Sequence, residues 1–285
     1  MKQIFISSSC IKASTIKESV MILADAGFQN IELSGGTRYY QNYINDLLEL
    51  REKYNLNYQL HNYFPPPETP FVINLASLNS DLFDKTMNQC VSAIQLSKLL
   101  GGKKYGIHAG FLIDIKANEI GKKLSLDSLS NRDSALNQFK KAWSILKDEA
   151  GNDVALYLEN NVFSKTNSKT YKNNPFFLTD SEGYTELNNY IDFNLLTDIA
   201  HLKVSCNSLN LNFIKEADKF LSISDYIHVS DNDGQHDSNL GIKKNGDIFQ
   251  VLKIHDLNNK TITIEVYRGL KQLTYSYNLI LDLIR

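Results

Sequence analysis

Short runs rich in β-branched and aromatic residues alternate along the chain with stretches that repeat apolar residues every three or four positions. The alternation predicts strands that are followed by helices, and hence a parallel sheet with crossover connections. The first strand is read at residues 3–7. Thr15, with Glu18 three residues on, is a capping-box signature for a helix that carries Ile16, Val20, Ile22 and Leu23 and stops near Gly27. Further strands are read at 30–33, 57–60, 104–107, 154–158, 193–197, 226–229 and 261–264. The helices between and after them are read at 40–54, 80–100, 132–149, 181–190, 209–221 and 270–284.

The βα unit returns about every 35 residues and fills the chain, which predicts one (β/α)8 barrel over residues 1–285. Gly101-Gly102 closes the longest helix, and Gly35-Gly36 reads as a turn rather than a phosphate loop. A proline-rich loop spans 65–70. Two connections, 111–131 and 162–180, are long and polar, as lids and binding loops are.

Composition narrows the function. Hydrophobic residues make up 42% of the chain and charged residues 22%, which suits a packed core. A net charge of −2 counts against a strongly basic nucleic-acid binder. Cys10, Cys90 and Cys206 are too scattered for a disulfide framework and read as reduced core thiols. The N-terminus lacks the apolar region of a signal peptide, and no apolar run reaches the ~20 residues of a membrane span. A cytoplasmic location is expected. The oligomeric state stays open.

The chemistry collects at the strand ends. Glu32, His61, His108, Glu159, Asp198, His228 and Glu265 fall at or next to the C-terminal ends of successive strands, with His201 three residues past Asp198. The loop after the seventh strand adds Asp231, Asp233, His236 and Asp237. In a closed barrel these ends converge on one mouth. Several buried carboxylates together repel one another and lose hydration, and a divalent cation resolves both problems. Imidazole mixed with carboxylate suits zinc or manganese, with magnesium or cobalt as further candidates. Taken alone, Glu32 reads as a solvated or salt-bridged residue and His236 as an ordinary loop histidine, whereas Trp143 reads as a packing residue.

The segments LHNYF, GIHAGF, LYLENN, TDIAH and HVSDNDG resemble the xylose isomerase-like TIM barrel superfamily, over essentially the whole chain. That group joins sugar isomerases and epimerases to the endonuclease IV-type enzymes that cut DNA at abasic sites. The resemblance implies a main metal site of Glu159, Asp198, His228 and Glu265. It implies a second ion at His61, His108 and Glu159, and a weak third site at His201 and Asp237, where Asn239 replaces an expected histidine. In the epimerase branch, Glu159 and Glu265 would be the catalytic pair, exchanging a proton through an enediolate. His61, His108, His201, Asp231 and Arg268 would then contact a sugar or sugar phosphate, Arg268 standing in for an arginine missing after the seventh strand.

In the endonuclease branch the same site would cleave abasic-site DNA. Lys116, Lys122, Lys123, Lys165, Lys169 and Lys172 of the long loops would supply the basic face, although they also suit a sugar phosphate or plain solvation. A related metal-dependent dehydratase and a metal-free binding barrel complete the alternatives.

Overall fold

A computed structural model describes residues 4–284. Eight parallel strands close into a barrel in sequence order. They are β1 (Ile4–Ser7), β2 (Asn30–Leu33), β3 (Asn57–His61), β4 (Lys104–His108), β5 (Ala155–Glu159), β6 (Asn194–Asp198), β7 (Tyr226–Val229) and β8 (Thr261–Ile264). Around them run α1 (Ile16–Asp25), α2 (Tyr43–Tyr54), α3 (Ser80–Leu100), α4 (Arg132–Ala150), α5 (Lys165–Thr170), α6 (Ser181–Asn188), α7 (Ile199–Leu209), α8 (Phe213–Ile223), α9 (Asp247–Lys253) and α10 (Leu270–Leu283). Among the described residues no helix is long and apolar enough to cross a membrane. The expected start of the first strand, Gln3, lies outside the described residues.

Local signals set the helix ends. Thr15 and Glu18 form the capping box of α1, and Gly101 ends α3 with a left-handed backbone (φ 77°) that a side chain would resist. The expected helix over 209–221 is corrected to α8, which starts at Phe213, and a further helix, α7, precedes it. Asp198 caps α7 directly, accepting hydrogen bonds from the amides of Ala200 and His201. Asn210 then turns left-handed (φ 57°) and Asn212 caps α8. The two asparagines mark one helix end and the next start, and α7 begins with no intervening loop. The helix expected from position 40 starts at Tyr43, and that expected to reach 190 ends at Asn188.

Side chains alternate across each strand with period two. Leu156, Leu158, Leu195 and Ile227 join the large core shared with the helices. Tyr157, Leu196 and Tyr226 form a separate cluster inside the barrel. Two residues further along the same strands, on the same face, stand Glu159, Asp198 and His228. The mouth therefore rests on an aromatic and aliphatic floor, and the strand pairing sets its neighbours: His108 lies opposite Glu159, and Asp198 opposite His228.

The long connections 111–131 and 162–180 pack on each other. Phe111 and Phe176 form a bridge, and Val72, Ile113, Leu124, Phe163 and Tyr171 bury a second small core with them. The Asn167 amide accepts from the Leu124 N–H and donates to the Lys122 carbonyl, and Tyr171 Oη donates to the Ser125 carbonyl. These bonds join the two loops into one cap beside the mouth. Trp143 packs in the core with its indole N–H on the Asp192 carbonyl, and all three cysteines are buried and unpaired.

Candidate metal centre

Glu159, the last residue of β5, is the hub of the mouth and is fully buried. Its Oε2 lies 2.8 Å from His61 Nε2 and 3.1 Å from His108 Nδ1. Its Oε1 lies 3.3 Å from His228 Nδ1. Glu265 reaches the same His228 Nδ1 at 3.6 Å. Three overlapping sets of potential ligand atoms result: Glu159, Asp198 and His228; His61, His108 and Glu159; and Glu32, His61, His228 and Glu265. The four residues expected to form the main site are thus brought together through His228, with Glu265 grouped beside Glu32 and His61 rather than beside Asp198.

These residues suit a divalent cation on their own geometry. Among the described residues His108 Nδ1, Glu159 Oε1 and His228 Nδ1 are buried polar atoms without a hydrogen-bond partner, although each stands close to another of the cluster. Buried polar atoms are almost always satisfied. Lone pairs that converge without hydrogen-bond geometry are what an oxygen- and nitrogen-liganded ion requires.

The electrostatics agree. Burial opposes the ionisation of Glu159, but His108 and His61 outweigh it and hold the carboxyl well below its usual range. Burial likewise opposes charging of His61 and His228; Glu159 raises the first, and Glu32 with Glu265 raises the second well above an ordinary imidazole. His108 is driven the other way, to about 4, mainly by burial and against the pull of Glu159. Asp198 is pushed up to about 7 by burial, against His201, with Glu159 and Asp237 adding repulsion.

Glu32 is a correction. The expectation of a solvated position fails, because the residue is completely buried, whereas the salt-bridged alternative holds, with His228 as the partner. Its carboxylate accepts from Tyr226 Oη, Thr263 Oγ1 and Gln59 Nε2 and lies 3.1 Å from His228 Nε2. The signal was its parity: Ile31 and Leu33 join the core shared with the helices, so Glu32 faces into the barrel.

His201, in the first turn of α7, donates from Nδ1 to the Asn160 carbonyl and turns Nε2 toward Asp237, 3.3 Å away. Asn160 also binds both backbone groups of Asp198, locking the strand end to the helix start. Asn239 is buried with a left-handed backbone (φ 43°), its carbonyl held by the Tyr267 N–H. Asp231 does not join the cluster, because its carboxylate is held by Lys203 Nζ at 3.1 Å. Arg268 is exposed and stays apart as well. His236 is exposed and paired with Asp233, at the rim of the adjoining cavity.

That cavity has a volume of about 310 Å³. His108, His201 and Asp237 line it on the mouth side, and Phe111, Leu124 and Phe176 of the cap line it opposite. Lys122 and Lys123 stand in its wall, whereas Lys116, Lys165, Lys169 and Lys172 do not.

A closed eight-stranded barrel with imidazoles and carboxylates gathered at its mouth defines the class: a (β/α)8 barrel with a candidate divalent-metal centre. The chain belongs to the xylose isomerase-like TIM barrel family, whose model matches residues 20–276. No curated protein sequence matches it. Among solved structures it is similar to a D-tagatose 3-epimerase-like protein, with TM-score 0.73 and 20% identity over 100% of this chain and 97% of that one. It is also similar to D-psicose 3-epimerase from Clostridium cellulolyticum H10, with TM-score 0.64 and 13% identity over 100% and 98% of the chains. Endonuclease IV from Thermus thermophilus matches with TM-score 0.63 and 14% identity over 99% and 98%. At such identities the likeness shows the shared fold. These neighbours are named as an epimerase-like protein, an epimerase and an endonuclease, and function rests on the site itself.

Proposed function

We propose that the protein is a divalent-metal-dependent sugar or sugar-phosphate isomerase or epimerase, with Glu159 and Glu265 as its proton-transferring pair. The observation that carries this reading is the 310 Å³ cavity beside the buried cluster, roofed by both long loops. Its size suits one small ligand. An abasic-site DNA substrate would instead call for an open, basic face along the mouth.

A bound zinc or manganese ion, or magnesium or cobalt, would supply Lewis acidity toward two adjacent oxygens of a keto sugar. Glu159, Asp198, His228 and Glu265 would hold it. Glu159 and Glu265 both approach His228 Nδ1, at 3.3 and 3.6 Å, close enough to act on one substrate carbon. The ionised Glu159 accepts a proton from the carbon next to the carbonyl, and Glu265 returns one to the opposite face. His108, kept neutral, and His201 orient substrate hydroxyls from the cavity side. Three unpaired buried cysteines accord with a reducing compartment and support a cytoplasmic location.

One observation favours the second reading, an endonuclease IV-like phosphodiesterase: His61, His108 and Glu159 form a complete second ligand set. The test is to assay metal-loaded protein on ketoses, ketose phosphates and an abasic-site duplex. Metal-dependent interconversion of a ketose or its phosphate is expected. Strand cleavage without any sugar turnover would replace the proposal with the second reading.

A further inference from the structure

The polar side chains of the cap are largely occupied with one another. Ser164 Oγ accepts from the Asn167 N–H, and both amide atoms of Asn167 bind backbone. The Asn161 amide nitrogen donates to the carbonyls of Ala109, Gly110 and Phe177. Both carboxylate oxygens of Glu119 accept from Ser125, and Lys122 Nζ donates to the Asn118 carbonyl. What these residues leave to face a ligand is mainly the apolar wall of Val72, Ile115, Ile120, Leu124 and Phe176, with the hydroxyls of Ser164 and Thr166 and the exposed Lys122 and Lys123 beside it. More hydrogen-bonding side chains gather at the other end, at Tyr63, His108, His201, His236 and Asp237.

A free ketose carries a hydroxyl on nearly every carbon. With its carbonyl end at the mouth, its far hydroxyls would lose water against Leu124 and Phe176 and gain few partners in return. A polar group buried that way is penalised, and a site discriminates most strongly when groups are left unpaired.

We infer that the substrate is a sugar derivative whose end remote from the reacting carbons carries an apolar substituent, an alkyl or aryl group, that fills the cap side of the cavity. This inference rests on the sugar reading of the site. The reacting half lies against His108 and His201, and the substituent lies against Ile120, Leu124 and Phe176.

Calorimetric titration of the metal-loaded protein with D-fructose, 6-O-benzyl-D-fructose and D-fructose 6-phosphate tests this. The benzyl ether binds about tenfold more tightly than fructose, in the range hydrophobic pockets achieve. In Ile120→Asp, a change at a half-exposed cap position, that preference falls at least about threefold. Fructose binding as tightly as its benzyl ether overturns the inference and leaves the sugar reading standing. So does the phosphate binding tightest, which would assign specificity to Lys123. A preference untouched by Ile120→Asp also overturns it. If none of the three binds and no ketose is turned over, the inference and the proposed function fall together.

Discussion

His228 Nε2 lies 3.1 Å from Oε1 and 3.2 Å from Oε2 of Glu32, and both side chains are fully buried. The carboxylate fixes the imidazole with its Nε2–H turned inward and Nδ1 turned toward Glu159 and Glu265. A carboxylate behind a ligating histidine sets its tautomer and raises its basicity. Glu32→Gln keeps the shape and removes the charge. Metal affinity, measured by competition with a chelator, should fall about 10- to 100-fold. Unchanged affinity would remove Glu32 from the account.

Gly106 explains how β4 leaves room for the cluster. A methyl there would sit 2.8 Å from His61 Cδ2 and 2.7 Å from Leu196 Cδ2. Gly106→Ala should push the His61 ring away from Glu159 and destabilise the barrel by about 1–3 kcal/mol. Urea unfolding reads the stability, and metal titration should show weakening at the two sets that contain His61. Wild-type titration and stability together would contradict the packing argument.

Much of this was legible in the chain. Asn30–Leu33, Tyr226–Val229 and Thr261–Ile264 lie where their β-branched runs place them, because a strand buried between barrel and helices must be apolar on one face. His61, His108, Glu159 and Asp198 proved to be the last residues of their strands, one step from where the pattern ended the strands. The role of Glu32 was hidden, since its partners Tyr226 and Thr263 are 194 and 231 residues away in sequence. Helix α7 was hidden too, because its capping residue is itself the strand-end aspartate. The alliance of the two long loops came from contacts between Leu124, Tyr171 and Phe176, which spacing alone does not encode.

Metal binding should release protons. In the metal-free protein His61 and His228 hold a proton above the pH at which an ordinary imidazole loses it. An ion must displace those protons, so affinity strengthens as pH rises through the raised values and weakens as pH falls below them. Calorimetry in buffers of different ionisation enthalpy should report net proton release near neutral pH. Zero release would mean that neither imidazole is a ligand.

Asn74 anchors the cap to the barrel. Its amide nitrogen donates to the carbonyls of Phe111 and Ile113 and to Asp114, and its oxygen accepts from the Phe111 and Ala76 amides. Asn74→Leu should leave these buried groups unpaired and cost about 1–3 kcal/mol. Limited proteolysis should then cut within 111–131 faster than in the wild type. Equal cleavage rates would show that the cap is held by its apolar core alone.

The most direct test of the metal centre is the number of ions bound per chain, measured by elemental analysis after loading and buffer exchange, for the wild type and for Glu159→Gln. Glu159 belongs to two of the three ligand sets. The wild type should retain at least one divalent ion per chain, and Glu159→Gln should retain little or none while staying folded. A wild type that binds no ion, or a variant that keeps the full complement, would contradict the account.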